Sequence, residues 1–392
     1  MSVKVCHVIT RLDLGGAQEN TLHTVRTLRS PYHASLVAGP GGLLDDEARA
    51  SDGIEVHFLP ALVRPIRPWR DLRAVAGLAR LLLRLRPDIV HTHSSKAGIV
   101  GRAAARVAGV GIVVHSIHGY GFHEGQPAWM RAALVGLERA ALPLTSHFIA
   151  VSRANLERGA ALGIVDPRRA TVIRSGVRIE AFRAAAHDRA AARAALAAAI
   201  GAPPAAPLVG MVACLKAQKA PLDFVAAAAR VAAARPDARF LIAGDGDMRS
   251  QVETRIADLG LGGRFHLLGW RRDVPHIMAA LDVVVLTSLW EGLPRVVPEA
   301  IAAGRPIVAT AVDGTGEVLA DGINALVTGP SDPSGIAARV VRLLGEPALG
   351  AALVERARPL LAEFDIDAMV RAQEELYRRL LEARAATLGR AA

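Results

Sequence analysis

The regular alternation of short apolar runs with helical stretches constrains this chain most. The first half holds seven strand candidates: VKVCHVI (3–9), ASLVAG (34–39), EVHFL (55–59), DIVHTH (88–93), GIVVHSIHG (111–119), HFIAVS (147–152) and ATVIRSG (170–176). Helical stretches lie between most of them, and one of these presents Leu22, Val25 and Leu28 on a single face. Strands that alternate with helices predict βαβ units and a parallel sheet.

The alternation stops in the middle of the chain and then restarts. Residues 183–207 run through alanine-rich sequence into GAPPAAP, and the strands resume with LVGMVACL, RFLIAG, RFHLLG, DVVVLTS and RPIVATAV. The predicted fold class is α/β, with two successive doubly wound parallel-sheet domains, which suits a chain of 392 residues. We predict an N-terminal domain at 1–185, a linker at 186–207, a C-terminal domain at 208–365, and a helix at about 366–392 that packs back on the first domain.

Cysteine content and hydropathy restrict the compartment. The chain has only two cysteines, Cys6 and Cys214, which cannot form a disulfide framework or a thiolate metal site and which suit a reducing cytosol. The apolar part of MSVKVCHVITRLDLGG is too short for a signal peptide. Since no run of eighteen apolar residues occurs in the sequence, no membrane span is predicted either. We therefore predict a cytoplasmic protein.

The chain is basic, with a net charge of +10, of which +9 falls in residues 1–180. A basic surface attracts nucleic acid, anionic lipid or an anionic substrate. Residues 64–86 carry seven arginines and one acid beside Trp69 and several leucines. They predict either a basic amphipathic helix at a membrane surface or an ordinary surface helix with a leucine core face. Nucleic-acid binding is disfavoured, because no helix-turn-helix, zinc module or aromatic-rich sheet is recognisable and aromatic residues make up only 4%.

Glycine-rich turns follow two of the predicted strands. Ligands of open parallel sheets bind outside the carboxyl ends of the strands, so these turns are candidate sites. Gly15 and Gly16 can bring backbone amides to an anion at a helix N-terminus, or they can form a plain turn. GDGDMR (244–249) matches only part of a dinucleotide fingerprint, since the third glycine is replaced by an arginine. We predict a tight turn there and no dinucleotide site.

Histidines cluster at the ends of two predicted strands. His118 ends a strongly apolar strand next to a glycine and is the best single candidate for chemistry. The histidines of HTH (91–93) and HSIHG (115–119), which include His118, make a zinc site conceivable, but no acidic or thiolate ligand accompanies them at a motif spacing. We therefore favour hydrogen-bonded histidines and predict no metal.

The segment WEGLPRVVPE (290–299) carries two acids in an otherwise apolar setting. Its prolines and the later Gly304 predict a short helix over about 295–303, with Glu291 before it and Glu299 in its early turns. A carboxylate accepts two hydrogen bonds and a sugar diol donates two. Two acids on either side of an anion-binding turn match a nucleotide sugar, and the alternative is a capping acid plus one salt bridge. Lys216 and Lys219 follow the first strand of the second domain and reach either a phosphate or solvent.

These motifs together resemble the retaining glycosyltransferases of the GT-B fold, specifically glycosyltransferase family 4. The motifs that carry the resemblance are GGAQ (15–18), HTHSSKAGIVGRAAAR (91–106), HGYGFHE (118–124), FIAVS (148–152), VIRSGV (172–177), LKAQK (215–219), LIAGDGD (241–247), EGLPRVVPEAIAAGRPIVAT (291–310) and GTGEV (314–318). The resemblance implies two facing Rossmann-like domains with an interdomain cleft. It also implies transfer from a nucleotide diphosphate sugar (UDP- or GDP-sugar) to a glycan or lipid-linked acceptor in envelope or exopolysaccharide synthesis, without a metal.

The family pattern assigns roles to residues at matching positions of this sequence. Glu299 would bind the ribose hydroxyls, and Glu291 would contact the transferred sugar beside the amides of Gly292 and Leu293. Lys219 would neutralise the departing diphosphate. Two residues of the first domain also match the family pattern. Gly16 would approach the same diphosphate, and His118 would lie near the donor sugar.

The sequence departs from the family pattern in three places: at Cys214, at Ser175 and Arg178 in the segment where the family commonly has N-G-V-D, and at Pro298. The family usually has an arginine four residues before the phosphate lysine, where this chain has Cys214, and Lys216 is the residue we expect to replace that charge. Two other functions stay open at this point: a sugar-nucleotide epimerase on the same fold and a basic nucleic-acid-binding protein. The sugar, the acceptor and the oligomeric state are not determined by the sequence.

Overall fold

The computed structural model describes residues 2–391 and divides into two compact units, each built on its own parallel sheet. The first unit comprises the chain up to Gly176 together with the segment from Ile366 onward. The second unit is Val177–Asp365. The α/β class and the two doubly wound sheets predicted from the sequence are confirmed.

The first unit contains a 7-stranded sheet in the order β3-β2-β1-β4-β5-β6-β7. Its strands are β1 (Val3–Arg11), β2 (Tyr32–Gly39), β3 (Glu55–Phe58), β4 (Ile89–His93), β5 (Ile112–Ile117), β6 (His147–Ala150) and β7 (Ala170–Val172). Its first six helices are α1 (Gly16–Thr27), α2 (Asp45–Arg49), α3 (Pro68–Leu85), α4 (Ser95–Val107), α5 (Ala128–Ala141) and α6 (Arg153–Ala161). Every strand predicted for this half is present.

The second unit contains a 6-stranded parallel sheet in the order β10-β9-β8-β11-β12-β13. The strands are β8 (Leu208–Val212), β9 (Arg239–Ala243), β10 (Phe265–Leu267), β11 (Val283–Leu286), β12 (Ile307–Thr310) and β13 (Leu326–Thr328). The helices are α7 (Ile179–His187), α8 (Arg189–Ala199), α9 (Pro221–Ala234), α10 (Arg249–Asp258), α11 (Val274–Ala280), α12 (Val296–Ala302), α13 (Thr315–Val318), α14 (Pro333–Gly345) and α15 (Pro347–Ala357). Strand β13 was not predicted from the sequence.

The final helix, α16 (Ile366–Ala391), packs against the first sheet. Successive residues of a strand point to opposite faces of a sheet, and β1 shows this directly. Val5 lies in the apolar layer that contains Met369 and Tyr377 of α16, whereas Cys6 and Val8 lie in the layer that contains α3 and α4. Both faces of this sheet are thus covered, which explains why its strands read as nearly continuous apolar runs.

The segment 186–207, predicted from the sequence as a linker, belongs to the second compact unit. Much of it forms α8, whose Arg189 and Arg193 pair with Asp282 at 2.7 and 2.9 Å. Asp282 also accepts a hydrogen bond from the backbone N–H of Leu208 (2.8 Å), at the start of β8. A carboxylate shared by two guanidinium groups and a strand N–H joins the alanine-rich helix to the sheet, and composition alone does not reveal such a contact.

Backbone crowding explains the GDGDMR turn. Gly244 and Gly246 have φ values of 145° and 158°, in the region that favours glycine. A Cβ at Gly244 would lie 1.9 Å from the carbonyl oxygen of Ala213, so only glycine fits there. This close approach of two loops supports the tight turn predicted from the sequence. In the part of the chain that the structure describes, no helix is both long and apolar enough to cross a membrane.

Candidate functional site

The second sheet changes its winding direction between β8 and β11. From β8 the chain continues to β9 and β10 on one side, and from β11 it continues to β12 and β13 on the other. The loops after two such strands diverge at their carboxyl ends, and ligands of open α/β sheets bind in the crevice this leaves. Lys219 follows β8 and Glu291 follows β11. Two residues predicted from the sequence therefore lie at the switch point of this sheet.

Lys219 and Glu291 are in direct contact. The Lys219 ammonium forms an ion pair with Oε1 of Glu291, and Ser288 Oγ donates to the same oxygen at 2.6 Å. Gln218 Nε2 lies 3.4 Å from the other carboxylate oxygen. Only 6% of the Glu291 side chain is exposed, against 17% for Lys219. The carboxylate is thus fixed from three directions, and the lysine keeps part of its surface for another anion.

The backbone around Glu291 is fixed by two further hydrogen bonds. Its N–H donates to Asp313 Oδ2 at 2.9 Å. Thr310, the last residue of β12, donates its hydroxyl to the Ser288 carbonyl at 2.6 Å. Asp313 has a φ of 40°, a left-handed conformation that costs energy outside glycine and persists only where the surroundings hold it. The loops that follow β8, β11 and β12 are therefore joined into one rigid polar cluster.

Glu299 lies in α12, in the first turn of this short helix, as predicted. Its Oε1 is 3.4 Å from Nη2 of Arg295, and the two side chains are 11% and 12% exposed. Gly304, with a φ of 68°, follows the helix as the expected C-terminal glycine. Each of the two acids in the WEGLPRVVPE segment thus has a cationic neighbour in the protein, and each is nearly buried.

The remaining predicted residues of the second domain lie in the same loops. Lys216 is exposed and directly precedes a single 3₁₀ turn, Ala217–Lys219. Gly292 and Leu293 are buried in the loop between Glu291 and α12. Both lysines and both amide-bearing residues therefore lie near the carboxyl ends of β8 and β11, where the sequence predicted them.

The first sheet has its own switch point, between β1 and β4. Gly15 and Gly16 follow β1, and α1 begins at Gly16. The loop that follows β4 is joined to the end of β1, because Thr10 Oγ1 lies 2.8 Å from Ser94 Oγ and accepts from the N–H of Ala97. The glycine pair predicted from the sequence therefore follows the carboxyl end of a strand at this switch point.

His118 follows β5 and contacts a second histidine. Its Nε2 lies 3.2 Å from Nδ1 of His93, the last residue of β4. His93 Nε2 in turn lies 3.0 Å from Nδ1 of His7, in β1. Burial lowers the pKa of His118 to about 4 and that of His7 to about 3, and it holds the pKa of His93 well below its usual value. All three imidazoles are therefore neutral at pH 7.

The histidines raise the question of a metal. Among the described residues, His7, His91 and His93 form the one group of at least three metal-ligating side chains whose ligand atoms lie within 4.8 Å of one another. The nitrogens of His91 already contact Tyr377 OH (2.5 Å) and Ser116 Oγ (2.7 Å), while His7 and His93 pair with each other. The protein thus occupies most of these nitrogens with its own partners. The absence of a metal remains a prediction.

Several residues of these clusters were not predicted to be functional. They are Gln218, Ser288, Arg295 and Asp313 in the second domain, and His7 in the first. Ser288 is the residue that the sequence could have indicated most readily. Its hydroxyl ends an apolar strand segment three residues before Glu291, where it can bond that carboxylate. The pairing of Glu291 with Asp313 joins residues 22 positions apart, and no local pattern predicts it.

Family models match both halves of the chain. Residues 15–176 match a model described as "Glycosyl transferase 4-like domain", and residues 206–346 match one described as "Glycosyl transferases group 1".

Similar proteins cover most of the chain. It is 34% identical over 316 residues to the UDP-Gal:alpha-D-GlcNAc-diphosphoundecaprenol alpha-1,3-galactosyltransferase of Escherichia coli, covering 80% of each protein. It is 25% identical over 343 residues to the putative glycosyltransferase EpsD of Bacillus subtilis, covering 82% of this chain and 84% of that one. The crystal structure of Anabaena Alr3699/HepE in complex with UDP and glucose has a TM-score of 0.81 at 22% identity, covering 96% of this chain and all of that one.

The fold and the matched family models together identify the family of this chain. Two parallel-sheet α/β domains and the structural neighbours establish a GT-B fold. The chain belongs to the group 1 glycosyltransferases, of the family 4 type. The family and the fold that the sequence motifs indicated are thereby confirmed.

Proposed function

We propose that this glycosyltransferase moves a sugar from a UDP-sugar to a hydroxyl of a lipid-linked glycan, with retention of anomeric configuration and without a metal. The observation that carries the proposal is the cluster of Lys219, Glu291 and Ser288 at the switch point of the second sheet. The choice of a UDP-sugar and of a lipid diphosphate acceptor is supported by the E. coli relative, whose name gives both.

The proposed donor site uses the two acids at opposite ends of the nucleotide sugar. Glu299 accepts from the ribose hydroxyls, and Glu291 accepts from the transferred sugar. The amides of Gly292 and Leu293 lie in the loop between Glu291 and α12. In this proposal they donate hydrogen bonds to the nucleotide sugar. Lys219 binds the diphosphate. In the first domain, Gly16 approaches the diphosphate and His118 approaches the sugar, and these two roles rest on the family resemblance.

Catalysis in this proposal is electrostatic. As the glycosidic bond to the diphosphate breaks, negative charge grows on a phosphate oxygen. A preorganised cation at that position stabilises the charge without reorganisation, and such groups usually supply the largest part of catalysis. Glu291 already accepts from Lys219 and Ser288, so it is built to position the sugar and not to act as a free nucleophile. The acceptor hydroxyl then attacks from the face that the diphosphate leaves, and the leaving phosphate takes its proton.

A two-stage experiment tests the function. A thermal-shift screen compares UDP-, GDP- and ADP-sugars, and we expect stabilisation with a UDP-sugar. Transfer is then measured with that donor and a GlcNAc-diphospholipid acceptor, with EDTA present, and the anomeric configuration of the product is read by NMR. Binding of no nucleotide sugar, or conversion of the donor without an acceptor, would refute the transferase assignment. Loss of transfer in EDTA would refute metal independence alone.

The first site prediction concerns donor affinity. We expect Glu299→Ala to weaken UDP-sugar binding about 10- to 100-fold, because one hydrogen bond from a ribose hydroxyl to a charged acceptor contributes about 1.5–3 kcal/mol. Turnover at saturating donor should change much less. Calorimetric titration and steady-state kinetics measure the two effects separately. Glu253→Ala, on the exposed surface of α10, provides a control in the same domain, and equal donor affinity in both variants would contradict the ribose assignment.

We also propose that α3 and the residues preceding it contact an anionic membrane surface. One face of α3 packs on the core through Leu78, Leu81 and Leu82, as the ordinary-helix interpretation expects. The opposite surface leaves large apolar side chains in solvent, with Trp69 79% and Ile66 64% exposed. The large apolar side chains that this surface exposes are Ile66, Trp69, Leu72 and Leu83. All seven arginines of this segment are exposed as well, so that the helix has a core face and an amphipathic outer face.

Membrane binding is tested by flotation. We expect the protein to float with vesicles containing anionic lipid and not with neutral vesicles, because each arginine near such a surface contributes about 1 kcal/mol. The variant Trp69→Ala/Leu72→Ala should lower partitioning about tenfold or more, since an apolar side chain contributes about 1.5–3 kcal/mol when buried. Trp129→Ala is the matched control, because that tryptophan is also exposed (70%) but lies on α5. Absence of flotation in the unaltered protein would end this proposal.

A further inference from the structure

Three imidazoles from neighbouring strands form a continuous hydrogen-bonded chain. His7 Nδ1 lies 3.0 Å from His93 Nε2, and His93 Nδ1 lies 3.2 Å from His118 Nε2. Both contacts have hydrogen-bond lengths. His93 therefore uses both ring nitrogens, while His7 Nε2 and His118 Nδ1 are buried end atoms without a protein partner among the described residues.

Neutral imidazoles allow only two proton arrangements in such a chain. A neutral ring has one N–H donor and one bare acceptor nitrogen. His93 must donate on one side and accept on the other. The three rings therefore carry their protons on the equivalent nitrogen. Either every ring is protonated at Nδ1, or every ring is protonated at Nε2. The tautomer of His118 is thus coupled to the tautomers of His93 and His7.

The surroundings of the two ends distinguish these arrangements. Protonation at Nε2 would leave an orphan N–H on His7, which is fully buried. Buried N–H groups without a partner are rarer in proteins than under-satisfied acceptors. Protonation at Nδ1 instead puts the open N–H on His118. That nitrogen is equally buried, but the His118 ring lines a small pocket together with Ser175 and Gln373, where an acceptor can be accommodated. The Gln373 side-chain oxygen there also has no hydrogen-bond partner among the described residues, so this pocket has a place for a water molecule.

We propose that His7 and His93 hold His118 in the Nδ1–H tautomer, so that His118 acts at the substrate as a hydrogen-bond donor and not as a general base. His7 and His93 are positioning residues that act through His118. The assignment of a substrate contact to His118 rests on the proposed function, whereas the tautomer is a property of the first domain alone.

The tautomer is measured directly on the full chain. In ¹⁵N-histidine-labelled protein at neutral pH, long-range proton–nitrogen spectra distinguish bare from protonated ring nitrogens, and single-histidine variants assign the signals. We expect protonated Nδ1 and bare Nε2 on all three rings. A bare Nδ1 on His118, or an equal mixture of tautomers, would overturn the inference. The expected tautomer in a protein that transfers no sugar would overturn the proposed function and leave the tautomer relay intact.

Variants at the central ring separate positioning from packing. His93→Asn keeps an N–H near the place of Nδ1, and we expect it to preserve the His118 tautomer. His93→Leu removes it, so we expect mixed His118 tautomers and a turnover lower by about two- to tenfold, the value of one hydrogen bond. His115→Gln is the matched control. His115 is a buried histidine on β5, the strand that precedes His118, but it bonds Thr92 and is not part of the three-histidine chain. If His93→Leu leaves the His118 spectrum unchanged, the coupling is refuted even where turnover falls.

Discussion

Lys219→Ala is expected to lower turnover about 10²- to 10³-fold, the usual effect of removing one preorganised group that stabilises transition-state charge. The lysine is placed at the switch point of the second sheet and already fixed by Glu291. Because charge on the diphosphate is larger in the transition state than in the bound donor, the loss should appear in kcat more than in donor affinity. The buried carboxylate of Glu291 keeps Ser288 and Gln218 as donors, so the domain should stay folded.

Steady-state kinetics and donor titration measure this effect, and thermal unfolding checks the fold. Arg230→Ala is a suitable control, because it removes an exposed cation from α9 of the same domain. Lys216→Ala is measured in the same way as a separate variant. We expect both its donor affinity and its turnover to fall if Lys216 replaces the charge missing at Cys214. A Lys219→Ala variant with nearly unaltered kcat would refute the catalytic assignment, and an unaltered Lys216→Ala variant would refute the compensation.

Glu138→Ala is expected to destabilise the first domain by about 3–5 kcal/mol, because it leaves a buried guanidinium without its counter-charge. Arg102 of α4 is 0% exposed and pairs with Glu138 of α5. The rest of this guanidinium is occupied within the same domain, where Nε donates to the Gly98 carbonyl at 2.9 Å and Nη1 lies 3.4 Å from Thr145 Oγ1. Chemical denaturation followed by circular dichroism measures the loss.

Two controls give this prediction its specificity. Glu180→Ala breaks the exposed Glu180–Arg183 pair and should cost no more than about 1 kcal/mol. The double variant Arg102→Met/Glu138→Leu replaces both charges with apolar groups and should recover most of the stability, as such replacements of buried ion pairs often do. If Glu138→Ala were no more destabilising than Glu180→Ala, the buried pair would not contribute as argued.

The sequence predicted the sheets well because buried parallel strands have a simple signature. Apolar runs bounded by turn residues located every strand of the first domain, and the prolines and glycine around α12 located that helix within a residue or so. The sequence signature is absent or misleading in two places. It did not indicate β13, although the equally short β7 and β10 were predicted. The alanine-rich segment with its prolines reads as a linker, whereas Arg189, Arg193 and Asp282 bind it to the sheet.

The candidate site was predicted only in part, for a topological reason. Lys219 and Glu291 are 72 positions apart, and their contact depends on β8 and β11 being neighbours in the sheet. His7 and His93 become neighbours only because β4 lies beside β1, and His118 joins them because β5 lies beside β4. A linear sequence shows which polar residues follow strands but not the order of those strands. The resemblance to a family supplied the roles that spacing alone left open.

The contact between Lys219 and Glu291 has one further consequence. Because the Lys219 ammonium pairs with the Glu291 carboxylate, its charge is already compensated when no nucleotide is bound. We expect a nucleotide diphosphate to share that ammonium with the carboxylate while it is bound, and the carboxylate to take back the whole interaction when the spent nucleotide departs. The empty site would then be self-neutralising, so that each catalytic cycle restores the ground state without recruiting an anion from solution.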